Sequence, residues 1–598
     1  MKPQEVLKQY FGYDHFRGTQ EGLVQAILTE QDTLGIMPTG AGKSICYQIP
    51  ALMMSGITLV ISPLISLMKD QVDTLIQAGV PAAYINSTLT ERQIEKCLHF
   101  ASSGKYKIIY VAPERLLTPL FQSFAQSAEI TIVAVDEAHC ISQWGNDFRP
   151  SYTQIPTFIE ALKCRPVLSA FTATATPQVK DDIIQTLRLN NPKVSISSFD
   201  RPNLFFETKI APKKDQALVE FLKDKKEQTG IVYCSTRKNV EKVYQALIKQ
   251  GFKATYYHGG LSDELRGTNQ EDFIYDRSNI IVATNAFGMG IDKSNVAYIV
   301  HYNMPMNIEN YYQEAGRAGR DGAEAHCLLL YSKQDIVTSM FLIDQKPDSL
   351  EVENLKMLDR KKLHAMDNYA NTKECLRKQM LSYFGEHLTD DCENCSNCKT
   401  SYEVLDITEE AKKMLSTVYR MKERFGSVMI LDTLTGAKNK KLLNFGLDKL
   451  STYGISQLNK SALDEILSFL IETSYLEKGT GAYPIIRLGP QGRQFLFEKE
   501  ARLLMKTRKP AIVTSKKEKS IPTNVDAQLL TQLKETRTQL AKKNKVPAYI
   551  IFSDSTLIDM CTKLPKNTAE LLTVSGVGGV KAERFGEIFL GVIKDFAK

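Results

Sequence analysis

The sequence predicts a multidomain protein: two α/β lobes with parallel sheets, then a four-cysteine metal module, three helices with a hairpin, and a small all-α domain. Three observations predict it. Short apolar, β-branched runs alternate with helix-like stretches, and the alternation occurs twice. Four cysteines, Cys375, Cys392, Cys395 and Cys398, cluster where the second set ends. Beyond about 403 the strand-like runs give way to helical periodicity. The 598 residues leave room for roughly four domains.

No run approaches the ~18 consecutive apolar residues of a membrane span. MKPQEVLKQY at the N-terminus lacks the apolar core of a signal peptide. No membrane partnership is therefore expected. Eleven cysteines in such a chain argue for a reducing compartment, where clustered thiols usually mean metal. The seven scattered ones (Cys46, Cys97, Cys140, Cys164, Cys234, Cys327 and Cys561) are expected as small buried hydrophobes. A net charge of +7 is mild, and its distribution matters more than its sum.

The first lobe, 1–199, has strand-like runs TLGIM, ITLVI, KIIYVA, TIVAV and VLSAF. The first leads into Pro38-Thr39-Gly40-Ala41-Gly42-Lys43-Ser44 and a helix-like stretch. Glycines there let backbone N–H groups close around phosphates; Lys43 would reach the β and γ phosphates and Ser44 would ligate Mg²⁺. Met37 stands where the strict pattern has glycine. Asp136 and Glu137 fall at the end of another strand, where parallel sheets bind ligands. Asp136 would hold Mg²⁺ through water, and Glu137 would orient or deprotonate the attacking water. A loop with the only tryptophan follows: His139, Gln143, Trp144, Phe148 and Arg149. Its aromatics suit base stacking, or a core anchor.

These stretches carry a resemblance. Asp136-Glu-Ala-His139 resembles the second motif of superfamily 2 helicases, and HCISQWGNDFRP is similar to the aromatic-rich loop of the RecQ family of DNA helicases. Phe11-Gly-Tyr-Asp-His-Phe-Arg17-Gly-Thr-Gln20 resembles that family's adenine-recognition motif. By resemblance, Tyr13 stacks on the base while Arg17 and Gln20 hydrogen-bond near it. Ser62-Pro-Leu-Ile-Ser66 and Ala170–Thr176 resemble motifs that contact the DNA backbone and couple two RecA-like lobes, although helix caps use the same hydroxyls.

The second lobe, 200–340, repeats the pattern with GIVYC, ATYYH, NIIVAT, VAYIVH and HCLLLY. Ala283–Asp292 resembles the family's fifth motif. In Gln313-Glu-Ala-Gly-Arg317-Ala-Gly-Arg320, a helix would put both guanidinium groups on one face. By resemblance Arg320 is an arginine finger, which is worth about 10³ to 10⁵ in rate, and Arg317 supports the γ-phosphate or the lobe interface.

A helical zinc-binding module is expected over 341–402. A charged helical stretch carries Cys375, and Cys392-Glu-Asn-Cys395-Ser-Asn-Cys398 follows. Thiolates two residues apart suit a tetrahedral ion, and a set of four cysteines leaves no open position, so the Zn²⁺ would be structural. An iron–sulfur cluster is the other occupant such a set takes.

From 403 to 505 three helices and a hairpin suggest a winged helix. Lys438, Lys440 and Lys441 there are phosphate-contact candidates or solvated surface. Residues 506–524 read as a basic linker. The last stretch, 525–598, resembles the helicase-and-RNase-D C-terminal domain. Its turn Val574–Gly579 suits phosphate, and Tyr549 beside Lys543 and Lys545 suits stacking on single-stranded DNA, or the domain serves protein partners.

The resemblance spans the chain. It implies an ATP-dependent 3′→5′ DNA helicase that unwinds duplex or branched DNA in recombination, repair, the SOS response and replication-fork processing. The implied partners are single-stranded, forked and branched DNA, a single-stranded-DNA-binding protein and a topoisomerase; the implied state is a monomer in the bacterial cytoplasm at the nucleoid. Two rivals stand beside it: an RNA helicase on the same lobes, and an ATP-regulated DNA-binding scaffold.

Overall fold

A computed structural model describes every residue except 146, 288–292, 346–349, 480–483, 499–500, 509–525, 545 and 597–598. Two compact units divide the chain: Met1–Cys398 with Lys517–Lys598, and Lys399–Lys516.

The first lobe is built on β1 (Thr33–Ile36), β2 (Ile57–Ile61), β3 (Ala82–Ile85), β4 (Ile108–Val111), β5 (Ile130–Val135), β6 (Val167–Thr172) and β7 (Lys193–Ile196). Their order is β3-β4-β2-β5-β6-β1-β7, with every pair parallel. Parallel neighbours need crossover connections, and the helices supplying them cover both faces. That is why β2, β4 and β6 are buried at every residue. Two strands escaped the sequence reading. β3 is short and half-buried, and β7 is an edge strand with Lys193, Val194 and Ile196 exposed.

The second lobe carries β8 (Leu204–Ile210), β9 (Gly230–Tyr233), β10 (Ala254–Tyr257), β11 (Ile280–Ala283), β12 (Tyr298–His301) and β13 (Ala325–Tyr331) in the order β10-β11-β9-β12-β13-β8, again all parallel. Gly230 is required where it stands: a Cβ there would lie 2.0 Å from the Tyr298 ring. β8 was not anticipated either, because its burial alternates along an edge rather than running continuously apolar.

The charged stretch expected as one helix is two, Leu350–Asn371 and Leu376–Tyr383, and Cys375 caps the second with its sulfur accepting from Lys378 N. The cysteine-rich segment then meets the sheet edge at a parallel bridge between Phe206 and Cys395. In the same unit, helices Ala527–Asn544, Asp554–Lys563 and Gly579–Phe596 close a small core that includes Leu529, Leu533, Phe552, Leu571 and Phe589.

Unit Lys399–Lys516 contains β14 (Tyr402–Asp406), β15 (Leu476–Lys478), β16 (Ile486–Leu488) and β17 (Leu504–Arg508). Helices Thr408–Arg420, Ser427–Leu434 and Lys460–Glu472 pack with the β15–β16 hairpin around Met414, Leu415, Leu463, Leu467 and Ile486. The antiparallel β14–β17 pair was not foreseen. The hairpin turn at 480–483, the basic stretch from 509, Lys545, and the 288–292 part of the fifth motif lie outside the described residues. Among the described residues no helix is long and apolar enough to cross a membrane. Of the scattered cysteines, Cys164 is exposed and Cys97 half-buried, against the expectation that all are buried; the other five are buried.

Asp32 fixes the lower end of the first sheet. It is 2% exposed and accepts from Arg165 Nη1 and Nη2 at 3.1 and 2.5 Å, from Leu168 N at 2.9 Å and from Asn190 N at 2.7 Å. Asp32→Ala strands two backbone donors and an arginine, and is expected to cost about 2–4 kcal/mol, read as a lower urea midpoint.

Candidate nucleotide and metal sites

The carboxyl end of β1 runs into the glycine loop, and the helix Lys43–Met53 starts directly after it. Gly40 and Gly42 have φ of 85° and 77°, the left-handed region open to glycine. A Cβ on Gly42 would also stand 2.5 Å from Gln20 Nε2. Gln20 is buried against this loop. Its Nε2 donates to Ala41 O and Gly42 O at 2.9 and 3.0 Å, and its Oε1 accepts from Arg17 N at 2.8 Å. Its carboxamide is thus engaged by the loop. Arg17 lies over the Tyr13 ring, 5.2 Å from the centroid.

Asp136 and Glu137 follow β5. Glu137 has φ 47°, a strained position for a non-glycine residue and one that marks functional turns. Tyr152 Oη donates to Asp136 O at 2.9 Å, and Cys140 N donates to Glu137 O at 2.9 Å, so both backbone groups are held. Lys43 Nζ is 3.7 Å from Glu137 Oε1. The two acids sit in different fields. Burial, with the neighbouring Glu137 charge, pushes Asp136 up to about 6, against the pull of Lys43. Burial also pushes Glu137 up, but Lys43, His139, Arg317 and Arg320 outweigh it and hold that carboxyl below its ordinary range.

His139 Nδ1 pairs with Thr172 Oγ1 at 2.8 Å, Thr172 Oγ1 donates to Thr174 O at 3.1 Å, and Thr174 Oγ1 accepts from Gln313 Nε2 of the second lobe at 2.9 Å. The acids are thereby tied to the helix Ile308–Ala315. That helix stops before the arginines, which corrects the helical placement that their spacing suggests. Arg317 and Arg320 lie on the turns that follow, and Gly319 has φ 55°. The turn packs on the phosphate loop instead: a Cβ on Gly40 would be 3.6 Å from Arg320 Cγ, and one on Gly316 would be 3.4 Å from Thr39 Cβ.

One cavity of about 390 Å³ is lined by Tyr13, Thr39, Gly40, Gly42, Lys43, Ser44, Asp136, Glu137, His139, Arg317 and Arg320. Anion-seeking groups and an ionised carboxylate share it, which suits a polyphosphate and a water. The C-terminal domain lines it too, through Tyr549, Ser553, Thr556, Gly576 and Lys581. Gly576 N donates to Gly12 O at 3.2 Å, and a Cβ on Gly12 would stand 2.5 Å from Val577 C. Arg584 Nη1 donates to Gln77 Oε1 at 2.7 Å. Burial brings the Lys581 amine down to about 8, where it donates to Ile550 O.

The aromatic loop lies on the same lobe, one turn beyond the acids. Gln143, Trp144 and Phe148 are exposed, Trp144 by 44%. Arg149 points inward, with Nη1 donating to Pro63 O at 2.9 Å and Nε to Asp147 Oδ2 at 3.0 Å. Lys362 Nζ donates to Trp144 O at 3.0 Å.

The four clustered cysteines converge, their sulfurs all within 4.8 Å of one another. Cys395 and Cys398 are 3.4 Å apart and Cys392 and Cys398 3.9 Å; tetrahedral Zn–S bonds give edges of about 3.8 Å. Backbone N–H groups of Lys378 and Cys392 aim at Cys375 Sγ, and that of Asn394 at Cys392 Sγ, as thiolates require. The donor set fits a structural Zn²⁺.

Sequence reading missed Arg201, whose guanidinium meets both the phosphate loop and the arginine turn. It also missed the Thr174–Gln313 contact between lobes. No local spacing signals either.

Residues 17–183 match the DEAD/DEAH box helicase family, 213–322 the helicase conserved C-terminal domain, 333–399 the RecQ zinc-binding domain, 401–512 the RQC domain and 526–593 the HRDC domain. The chain is 43% identical to the ATP-dependent DNA helicase RecQ of Bacillus subtilis (strain 168), over 100% of this chain and 99% of the relative. It is 38% identical to the proteins of the same name from Haemophilus influenzae and Pasteurella multocida, over 99% of this chain and 95% and 94% of theirs.

Cys395→Ser removes one of four donors from a closed site. Bound zinc, measured by chelator-released metal per chain, is expected to fall to a small fraction of the parent value, with a colourless protein in both cases.

Proposed function

This chain belongs to the RecQ family of ATP-dependent DNA helicases, and on that premise we propose a division of labour among its residues. One observation carries the reading: Lys43 and Glu137 of the first lobe and Arg317 and Arg320 of the second border a single cavity. Each lobe supplies half of a site that is complete only when both close on ATP.

In this reading Thr39, Gly40, Gly42 and Lys43 cradle the phosphates, and Ser44 and Asp136 hold Mg²⁺, which when bound neutralises phosphate charge. Glu137, kept ionised by Lys43 and the two arginines, orients the attacking water and takes its proton. Arg320 meets the charge that develops on the γ-phosphoryl group, and Arg317 supports it. Tyr13 and Arg17 face the base, while Gln20 ties the base motif to the phosphate loop. Gln143, Trp144 and Phe148, the exposed members of the loop, contact DNA, and the inward-turned His139 and Arg149 pass its occupancy to the acids, because Glu137 and His139 share one short turn with the loop.

The substrate in this reading is single-stranded, forked or branched duplex DNA, travelled 3′→5′ by a monomer at the nucleoid, with a single-stranded-DNA-binding protein and a topoisomerase as partners. The division at 1–199, 200–340, 341–402, 403–505, 506–524 and 525–598 accompanies it, corrected at 402 and 505, where the paired strands Tyr402–Asp406 and Leu504–Arg508 keep 402 and 506–508 with the domain of three helices and a hairpin. Tyr549 reaches DNA only where the C-terminal domain leaves the cavity wall.

Arg320→Ala is expected to lower the DNA-stimulated ATPase kcat by about 10³ or more, with ATP affinity changed far less; near-normal turnover removes its role. Trp144→Ala should retain basal hydrolysis and lose most of the stimulation by single-stranded DNA. Full stimulation in that variant, or stronger stimulation of the parent protein by RNA, would defeat the DNA-coupling assignment.

A further inference from the structure

The segment between the lobes, Ser197–Asn203, does more than connect them. Arg201 sits in its middle with its side chain turned into the seam. Nη1 donates to Thr39 O in the phosphate loop at 2.6 Å and to Gly316 O at 3.3 Å; Nη2 donates to Ala318 O at 3.2 Å and to Gly319 O at 2.9 Å. Nε reaches Asn203 Oδ1 at 3.4 Å. Every one of these acceptors is a neutral oxygen. Gly316, Ala318 and Gly319 follow the last turn of the helix Ile308–Ala315, so their carbonyls gather at the negative end of its dipole. A planar guanidinium with five donors fits such a fan, and a compact ammonium fills only part of it.

The segment is itself braced. Arg377 Nη1 donates to Asp200 Oδ1 at 2.5 Å and its Nη2 to Leu204 O at 2.7 Å. Glu386 accepts from Ser198 Oγ at 2.6 Å and from Phe199 N at 2.8 Å. Tyr312 Oη donates to Phe199 O at 2.7 Å, and the Phe199 ring stacks on Phe384 at 4.7 Å. Arg377, Phe384 and Glu386 all lie between Cys375 and Cys392. Asn203 Nδ2 adds a bond to Gly319 O at 2.9 Å.

We propose that Arg201 is a positioning residue for ATP hydrolysis: it registers the phosphate loop of the first lobe against the turn that carries Arg317 and Arg320. The proposal rests on the reading that those two arginines serve hydrolysis. It assigns Arg201 no contact with the nucleotide. Its contribution is to fix the distance from Thr39 to the arginine turn, so that the finger arrives in place when ATP occupies the loop. Removing it leaves the phosphate-binding groups intact, so the loss falls on turnover rather than on binding.

The test uses the full-length zinc-loaded protein with single-stranded DNA. Arg201→Ala is expected to lower kcat for ATP about ten- to hundredfold, the size of losing hydrogen bonds from a charged donor. KM for ATP should stay within about threefold, with zinc content and Tm as in the parent protein. Arg201→Lys, which keeps the charge and three donors, should recover part of the loss. In an Arg320→Ala background, followed by single-turnover hydrolysis at high enzyme, Arg201→Ala should cost less than about twofold more. Turnover near the parent value, a loss carried in KM, a loss accompanied by zinc release or a lowered Tm, a lysine variant no better than alanine, or a full additional loss in the Arg320→Ala background each overturns the proposal. The two readings fail separately: normal turnover in Arg320→Ala sinks the finger assignment, whereas loss in Arg320→Ala with normal turnover in Arg201→Ala sinks only this one.

Discussion

A parallel sheet buried on both faces can offer chemistry only at the ends of its strands. The interior positions of β2, β4, β5 and β6 are taken up by packing, so the groups that meet solvent or ligand must sit on the loops that leave their carboxyl ends. The phosphate loop after β1 and the acids after β5 obey that constraint in the first lobe. Their counterpart in the second is the turn after the helix that follows β12. Two separate sheets then have to be brought into register, and a few hydrogen bonds across the seam do it: Gln313 to Thr174, and Arg201 to Thr39 and to the arginine turn.

The adjacency of Asp136 and Glu137 conceals a division between them. Asp136 is buried and Glu137 half-buried, yet one is pushed up and the other held down, because the cations of the cavity act on Glu137 while Asp136 feels chiefly burial and its neighbour's charge. The left-handed φ of Glu137 separates their directions. The field at Glu137 is set first by Lys43 and His139 of its own lobe, and Arg317 and Arg320 of the second lobe add to it.

Much of this was legible in the sequence wherever the chemistry is local. The glycine loop, the paired acids and the cysteine cluster each place their groups within a few residues, and a turn or a strand end suffices to orient them. Edge strands were lost for the opposite reason. β7 exposes three of its four residues and β8 alternates, so neither produces the continuous apolar run that marks a central parallel strand. Arg317 and Arg320 have helical spacing, yet Gly316 and Gly319 end that regularity and leave a turn. Arg201 left no signal at all. Its partners are main-chain oxygens at Thr39 and at Gly316 to Gly319, which carry no residue identity and lie more than a hundred positions away in either direction.

The C-terminal domain is the point at which a local motif and its tertiary setting diverge. The turn at Val574–Gly579 has the glycines of a phosphate-binding loop, but the Gly576 N–H is engaged by Gly12 O, and Val577 fills the space that a side chain on Gly12 would need. Tyr549 likewise lies in the cavity wall beside Ser553 and Thr556. Glycine serves two purposes with the same sequence signature: it exposes backbone donors to an anion, and it allows two backbones to touch. Here the second is realised, where the turn meets Gly12 of the first lobe. The domain meets the first lobe there through the Gly576–Gly12 and Arg584–Gln77 hydrogen bonds, Val580 beside Gly79 and close glycine packing. The groups it presents to the cavity are therefore available to that cavity only while this seam persists.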